Sequence, residues 1–273
     1  MERTRGLIGW SRWILGWWKL PLLDPTSRVF GSLCKSRKEV LQTSVKAVRM
    51  RDRTLERNQS WLEWRDFGAS QPEGGGIRRS RISGLARTAS SDVRKGGWLA
   101  AVSRSFAHSG SPIRILELGT CLGSGGDYLL AGAPDGSHYV GMEGSRELAG
   151  WTAERLAVHA VAEKTVEMHP GPFEKTLPVL ISEAQPFDVV FLDGFHEGKQ
   201  LEEQWDALQP LLNPQTWVVV DDIRWSRDMH ASWLRLTQKE GVLALDLFRM
   251  GVLKSGARRP QHEPLRTKWR ERA

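Results

Sequence analysis

With 273 residues, 40% of them hydrophobic and 26% charged, the chain has the composition of an ordinary globular protein, long enough for one large or two small domains around a sizeable core. Cys34 and Cys121 are its only cysteines, which excludes a disulfide framework and predicts a reducing, cytoplasmic setting. The net charge of +7 is uneven: basic residues outnumber acidic ones 21 to 9 up to residue 110 and 7 to 2 after residue 250, while acidic residues lead 21 to 11 between them, so affinity for a phosphate backbone could reside only in the two ends.

The chain opens on its most hydrophobic stretch, Gly6 to Leu23, but Arg12 and Lys19 interrupt it and Pro21 ends any helix, so it is a poor spanning segment. Trp10, Trp13, Ile14 and Trp17 share one face of a helix with basic residues beside it, a pattern open to two readings: peripheral membrane or partner contact through residues 6–23, or packing on the protein's own body. No small-residue cleavage site follows, which argues against a secretory signal. Between Ser36 and Trp64, Leu41, Val48, Leu55 and Leu62 recur every seven residues; the polar companions Asp52 and Gln59 favour a helix lying on the domain over a coiled coil. Residues 65–79, RDFGASQPEGGGIRR, read as a turn and a flexible loop. Residues 65–95 form the expected lid, where Arg78, Arg79, Arg81 and Arg87 either face an anionic or polar acceptor or are solvated. A helix is predicted from about Val93 to Phe106.

After Gly110 the texture changes. IRILELG, HYVGMEG, TVEMHPG, FDVVFLDG and TWVVVDD are strand candidates, separated by intervals that each fit one crossing helix, and 243–253 supply a final pair. Leu201, Trp205, Leu208 and Leu212 mark one helix face; Met229, Trp233 and Leu236 mark another, with Ser226 placed to cap it. The expected fold is α/β, a Rossmann-like doubly wound, mostly parallel seven-stranded sheet with a helical N-terminal extension. The expected boundaries are 1–110 for the basic helical extension and lid, 111–254 for the sheet domain, and 255–273 for a basic, flexible tail. Ligands of such sheets bind at the carboxyl ends of the strands.

The first of those ends is ELGTCLGSGGD, where Gly119 and Gly123 allow a tight turn before a helix. The second ends in Glu143, placed to accept hydrogen bonds from two ribose hydroxyls. Glycine-rich turns also serve dinucleotides, but Glu117 stands where that fingerprint has glycine, and the spacing is not G-x-G-x-x-G.

The pattern E-L-G-x-x-x-G of Glu117, Leu118, Gly119 and Gly123 resembles the cofactor loop of class I S-adenosylmethionine-dependent methyltransferases of the catechol O-methyltransferase branch, with Cys121 where the commoner motif has a middle glycine. FLDGFH and DDIRWSRDMHASW resemble bacterial small-molecule O-methyltransferases related to the macrolide enzymes. The resemblance implies S-adenosylmethionine as cofactor, held by Glu117, Gly119, Thr120, Gly123, Glu143, Gly171, Phe173 and Asp193, with Glu143 at the ribose and Gly171 and Phe173 flanking the adenine. It implies Asp193 and His196 as catalytic groups, His196 serving as general base toward an acceptor hydroxyl.

In such a sheet Asp193 and the pair Asp221 and Asp222 end neighbouring strands, and carboxylates converging there repel unless a cation or a basic partner intervenes. Oxygen ligands suit Mg²⁺, so Asp193, Asp221 and Asp222 are the expected metal set. The alternatives at those positions are helix capping by Asp193 or Asp222, pairing of Asp221 with Arg224 or Arg227, and His196 as a surface loop residue. Trp225 is expected to pack. The functional expectation is O-methylation of a small hydroxylated molecule, set against a nucleic-acid methyltransferase and a non-catalytic membrane-associated protein of the same fold; a homo-oligomer is compatible with each.

Overall fold

In the computed structural model of the protein the described residues are 25–67, 75–183, 185–194 and 196–254. The tryptophan-rich stretch 6–23 and the tail 255–273 lie outside them. Two helices come first, α1 (Pro25–Gln42) and α2 (Ser44–Leu55), then a hairpin of β1 (Trp61–Asp66) and β2 (Gly76–Arg81), then α3 (Ile82–Ala89) and α4 (Val93–Arg104). The sheet domain alternates β3 (Arg114–Leu118), α5 (Ser124–Gly132), β4 (His138–Glu143), α6 (Arg146–Leu156), β5 (Thr165–Pro170), α7 (Phe173–Glu183), β6 (Phe187–Leu192), α8 (Gly198–Leu208), β7 (Leu212–Val220) and α9 (Arg227–Gln238), and closes with β8 (Leu243–Asp246) and β9 (Gly251–Lys254).

The seven-stranded sheet has the order β5-β4-β3-β6-β7-β9-β8. β3 to β7 are parallel, and β9 runs antiparallel to both β7 and β8. Both faces are covered, which is why the central strands read as continuous apolar runs. Ile115, Tyr139, Val189, Phe191, Trp217 and Val219 face one core together with α5 and the N-terminal helices; Leu116, Leu118, Val140, Met142, Val190, Leu192, Val218 and Val220 face the other with α7, α8 and α9. Ser226 caps α9 as expected, its hydroxyl accepting the N–H of Met229 at 3.0 Å.

Two expectations fail in the extension. The heptad-like run does not make one helix: the chain breaks at Thr43, Val45 and Val48 are buried in the core, and Leu62 lies on β1. The segment read as a turn and loop instead contributes to a hairpin, with Trp64 opposite Arg78 and Asp66 opposite Gly76. The second strand, GIRRSR, carries none of the aromatic or β-branched run that announces a strand, and it is held by cross-strand partners instead. Arg78 pairs with Asp66 at 3.3 Å, and Arg79 and Arg81 lie over the Trp61 ring at 5.2 and 5.0 Å. Arg87 donates to the Glu56 carbonyl at 2.7 Å. All four arginines of the expected lid therefore have partners within the extension.

Candidate active site

Backbone register gathers the strand tips. Leu118 pairs with both Met142 and Leu192, and Leu192 pairs with Val220, so the residues that follow emerge side by side on one edge of the sheet. The pairing continues one step past the strands: Gly119 donates to Met142 O, Asp193 to Leu118 O and Asp221 to Leu192 O, each at 2.9 Å. Gly119 has φ +91°, and a Cβ there would lie 2.7 Å from the Asp193 carbonyl oxygen. Only glycine allows these two tips to touch.

The turn after β3 runs through left-handed backbone. Cys121 adopts φ +48° and Gly123 φ +73°, so the cysteine takes the left-handed conformation that a glycine would hold more cheaply. Glu143 supports this turn, one oxygen accepting the N–H of Cys121 at 2.8 Å and the other that of Ser145 at 3.0 Å. Burial raises the Glu143 carboxyl above its usual pKa, and these backbone N–H groups oppose the rise. Burial likewise pushes the Cys121 thiol up. Glu117 and Thr120 turn inward. Glu117 is 1% exposed, accepts the Tyr139 hydroxyl at 2.5 Å, and leaves room only for glycine at 125; Thr120 meets the Thr152 hydroxyl at 3.1 Å.

Gly171 lies next to the tip of β4, its N–H donating to the Glu143 carbonyl at 2.8 Å, with φ +138°. Phe173 covers Gly194, where a Cβ would come within 2.6 Å of its ring. A cleft of ≈ 360 Å³ opens on the outer side of Glu143, between the hairpin residues Trp64, Arg65 and Phe67 and the tip residues Gly144, Pro170 and Gly171. The cleft thus has one wall from the sheet domain and one from the extension.

The carboxylates do not form the expected metal set. Lys95, on the first turn of α4, places its Nζ 2.5 Å from Asp221 Oδ2 and 3.7 Å from Asp193 Oδ2. Asp222 has φ +45° and pairs with Arg249 at 3.1 Å. Arg224 pairs with Asp246 at 2.6 Å, not with Asp221. Among the described residues no group of three His, Cys, Asp or Glu is arranged to hold a metal ion. The residues present therefore fit an internal ammonium and not Mg²⁺. Burial drives the Asp193 carboxyl well up, and the Asp221 charge adds to the rise. Burial acts on Asp221 in the same direction, but the Lys95 ammonium and a hydrogen bond from the Asp193 carboxyl together outweigh it and hold that carboxyl below its usual range. Oδ1 of Asp221 is buried with no hydrogen-bond partner among the described residues.

Residues 116–223, which contain all of these tips up to Asp222, match a family model described as a methyltransferase domain. The likeness is to a methyltransferase domain and spans less than half of the chain. A search of curated proteins gave no match. Among solved structures, the O-methyltransferase TomG from Streptomyces achromogenes, in complex with SAM, is 25% identical, with 62% of this chain and 82% of that one covered and a TM-score of 0.51. The O-methyltransferase from Bacillus cereus in complex with SAH (16% identity, 79% and 94% covered, TM-score 0.53) and the SAH-bound methyltransferase PaMTH1 of Podospora anserina (17%, 87% and 98%, 0.50) share the fold.

After β6, His196 lies tilted against Trp225, with ring centroids 5.3 Å apart and the planes at 40°. Trp225 is 65% exposed, against the expectation that it packs, so this pair forms an aromatic rim beside the strand tips. Reading the sequence missed two features. Lys95 meets Asp221 across 126 residues of chain, and nothing local distinguishes it from any lysine in a first helical turn. Asp52, read only as a polar break in the seven-residue pattern, is fully buried: Arg155 pairs with it at 2.6 Å and with Asp127 at 3.0 Å, while Arg51 and His159 also bond Asp127. This ion network ties α2 to α5 and α6 behind the turn that follows β3. Among the described residues no helix is long and apolar enough to cross a membrane.

Proposed function

We propose that the protein is an S-adenosylmethionine-dependent methyltransferase that methylates a hydroxyl of a small molecule. The observation that carries the reading is the shared edge of Gly119, Glu143, Asp193 and Asp221, fixed by strand register on the face where doubly wound sheets bind ligands. The SAM and SAH complexes of the similar O-methyltransferases support the same cofactor here.

The residues present fit such a cofactor. Glu143, at the tip of β4, is the acceptor for the ribose hydroxyls, Gly171 and Phe173 border the adenine, and the left-handed turn through Gly119 and Cys121 receives the methionine end. Asp193 stands at the adjoining tip, where a buried acid can accept or donate a hydrogen bond to the amino acid portion or the acceptor. When bound, S-adenosylmethionine supplies a methyl group on a sulfonium, which passes to the acceptor oxygen as the S–C electron pair stays on sulfur and the hydroxyl proton leaves. His196 is the group assigned to take that proton, and its ring rests on Trp225. The chain's main contribution to rate is positioning.

Calorimetry with S-adenosylhomocysteine tests the reading directly. Stoichiometric binding is expected, with loss on Glu143→Ala; folded protein that takes up none at millimolar ligand defeats it.

A further inference from the structure

We infer that Lys95 is the resident cation of the strand tips, closing by its ammonium group a divalent-cation site that Asp193 and Asp221 would otherwise form. The acceptor role of this edge rests on the methyltransferase reading; the cation assignment rests on the ion pairs alone. Asp193 and Asp221 follow neighbouring parallel strands, whose spacing of about 4.8 Å brings their side chains within reach of a single ion. Nζ of Lys95 lies between them, 2.5 Å from one carboxylate and 3.7 Å from the other.

The lysine is held there by its helix. Asp92 caps α4, accepting the N–H groups of Arg94 and Lys95 at 2.8 Å each. One residue on, Gly96 packs so closely on Tyr128 that a Cβ would lie 2.4 Å from the ring. Gly132 of α5 in turn sits against the Ala100 backbone. With α4 pressed backbone to side chain against α5, the first turn cannot drift from the sheet edge. A divalent ion entering between Asp193 and Asp221 would meet the ammonium at contact distance, a like-charge arrangement that two carboxylates do not offset. The third carboxylate is also missing, since Asp222 turns to Arg249.

Lys95 bonds only Oδ2 of Asp221, and the buried Oδ1 receives nothing from the ammonium, so Lys95 leaves coordination capacity behind. Removing the ammonium should therefore uncover an oxygen site for a hard cation. The probe is Mn²⁺, followed by loss of its free-ion electron paramagnetic resonance signal, using the full chain with S-adenosylhomocysteine present. The intact protein is expected to bind no Mn²⁺ at submillimolar concentration, and Lys95→Ala to bind one ion at least about tenfold more tightly, corresponding to roughly 1.4 kcal/mol or more. That gain should vanish in Lys95→Ala combined with Asp221→Asn. One Mn²⁺ bound by the intact chain and lost in Asp193→Asn overturns the inference, as does failure of folded Lys95→Ala to bind any. Should Lys95→Ala not fold, Lys95→Gln takes its place, and the intact chain alone can still overturn the assignment. Calorimetry with S-adenosylhomocysteine on the same samples keeps the two readings apart: absent cofactor binding counts against the methyltransferase reading, whereas Mn²⁺ binding by the intact chain counts against Lys95.

Discussion

The carboxylate of Glu143 accepts the backbone N–H of Cys121 at 2.8 Å, so the tip of β4 holds the turn that follows β3. One side chain thereby links the expected ribose position to the expected methionine position. Glu143→Ala removes both the proposed ribose acceptor and the brace for the turn. Its S-adenosylhomocysteine affinity should fall at least about 100-fold, since charge-assisted hydrogen bonds to two ribose hydroxyls are worth roughly 1.5–3 kcal/mol each. Calorimetry checks this, and an unchanged Kd would remove Glu143 from the cofactor site.

Cys121 holds φ +48° in the left-handed region. Substitution to valine brings β-branching into that conformation and should destabilise the domain by about 2 kcal/mol, whereas Cys121→Gly should stay within about 1 kcal/mol of the parent. Urea denaturation of the two variants decides the matter; equal midpoints would mean that the turn relaxes. Because burial raises the thiol pKa, the folded protein should also leave Cys121 slow to react with iodoacetamide at pH 8.

Glu117 is buried, and burial pushes its pKa up to about 8 from 4.5, with the Tyr139 hydroxyl opposing the rise. The folded state therefore holds a proton that the unfolded chain has released, so this group's contribution to stability declines as pH rises from about 4.5 to 8, by at most about 1.4 kcal/mol per pH unit. Glu117→Gln should flatten the fall in stability over that window. A parallel pH profile for parent and variant would show that the carboxyl ionises in the fold without cost.

Asp127 behaves oppositely. Burial tends to raise its pKa, but hydrogen bonds from Arg51 and His159 and the charge of Arg155 bring it down to about 2 from 3.8. Its contribution is complete above pH 3.8 and disappears as pH falls through about 2. Asp127→Asn leaves Arg51 and Arg155 without that charge and should cost roughly 3–5 kcal/mol. Chemical denaturation near neutral pH measures it, and a loss below 1 kcal/mol would mean that Asp52 alone satisfies the network.

The sequence by itself determined the sheet. Strand candidates such as FDVVFLDG and TWVVVDD overlap β6 and β7, because strands buried on both faces must be apolar throughout, and their ends mark the edge of the candidate site wherever the chain turns polar. Gly119 and Glu143 were legible for the same reason: each answers a requirement at its own position, a left-handed turn and an acid at a strand tip. The hairpin was not legible, since GIRRSR is stabilised by ion pairs and ring contacts with a partner strand and not by any propensity of its own.

Only the tertiary structure decided what neutralises the carboxylates. Asp193, Asp221 and Asp222 are equally acidic in the sequence, yet packing of α4 on α5 brings Lys95 to the first two, and a left-handed residue turns the third to Arg249. Charge compensation acts through space at a few ångströms, between groups as much as 126 residues apart, and no local pattern of residues encodes that distance.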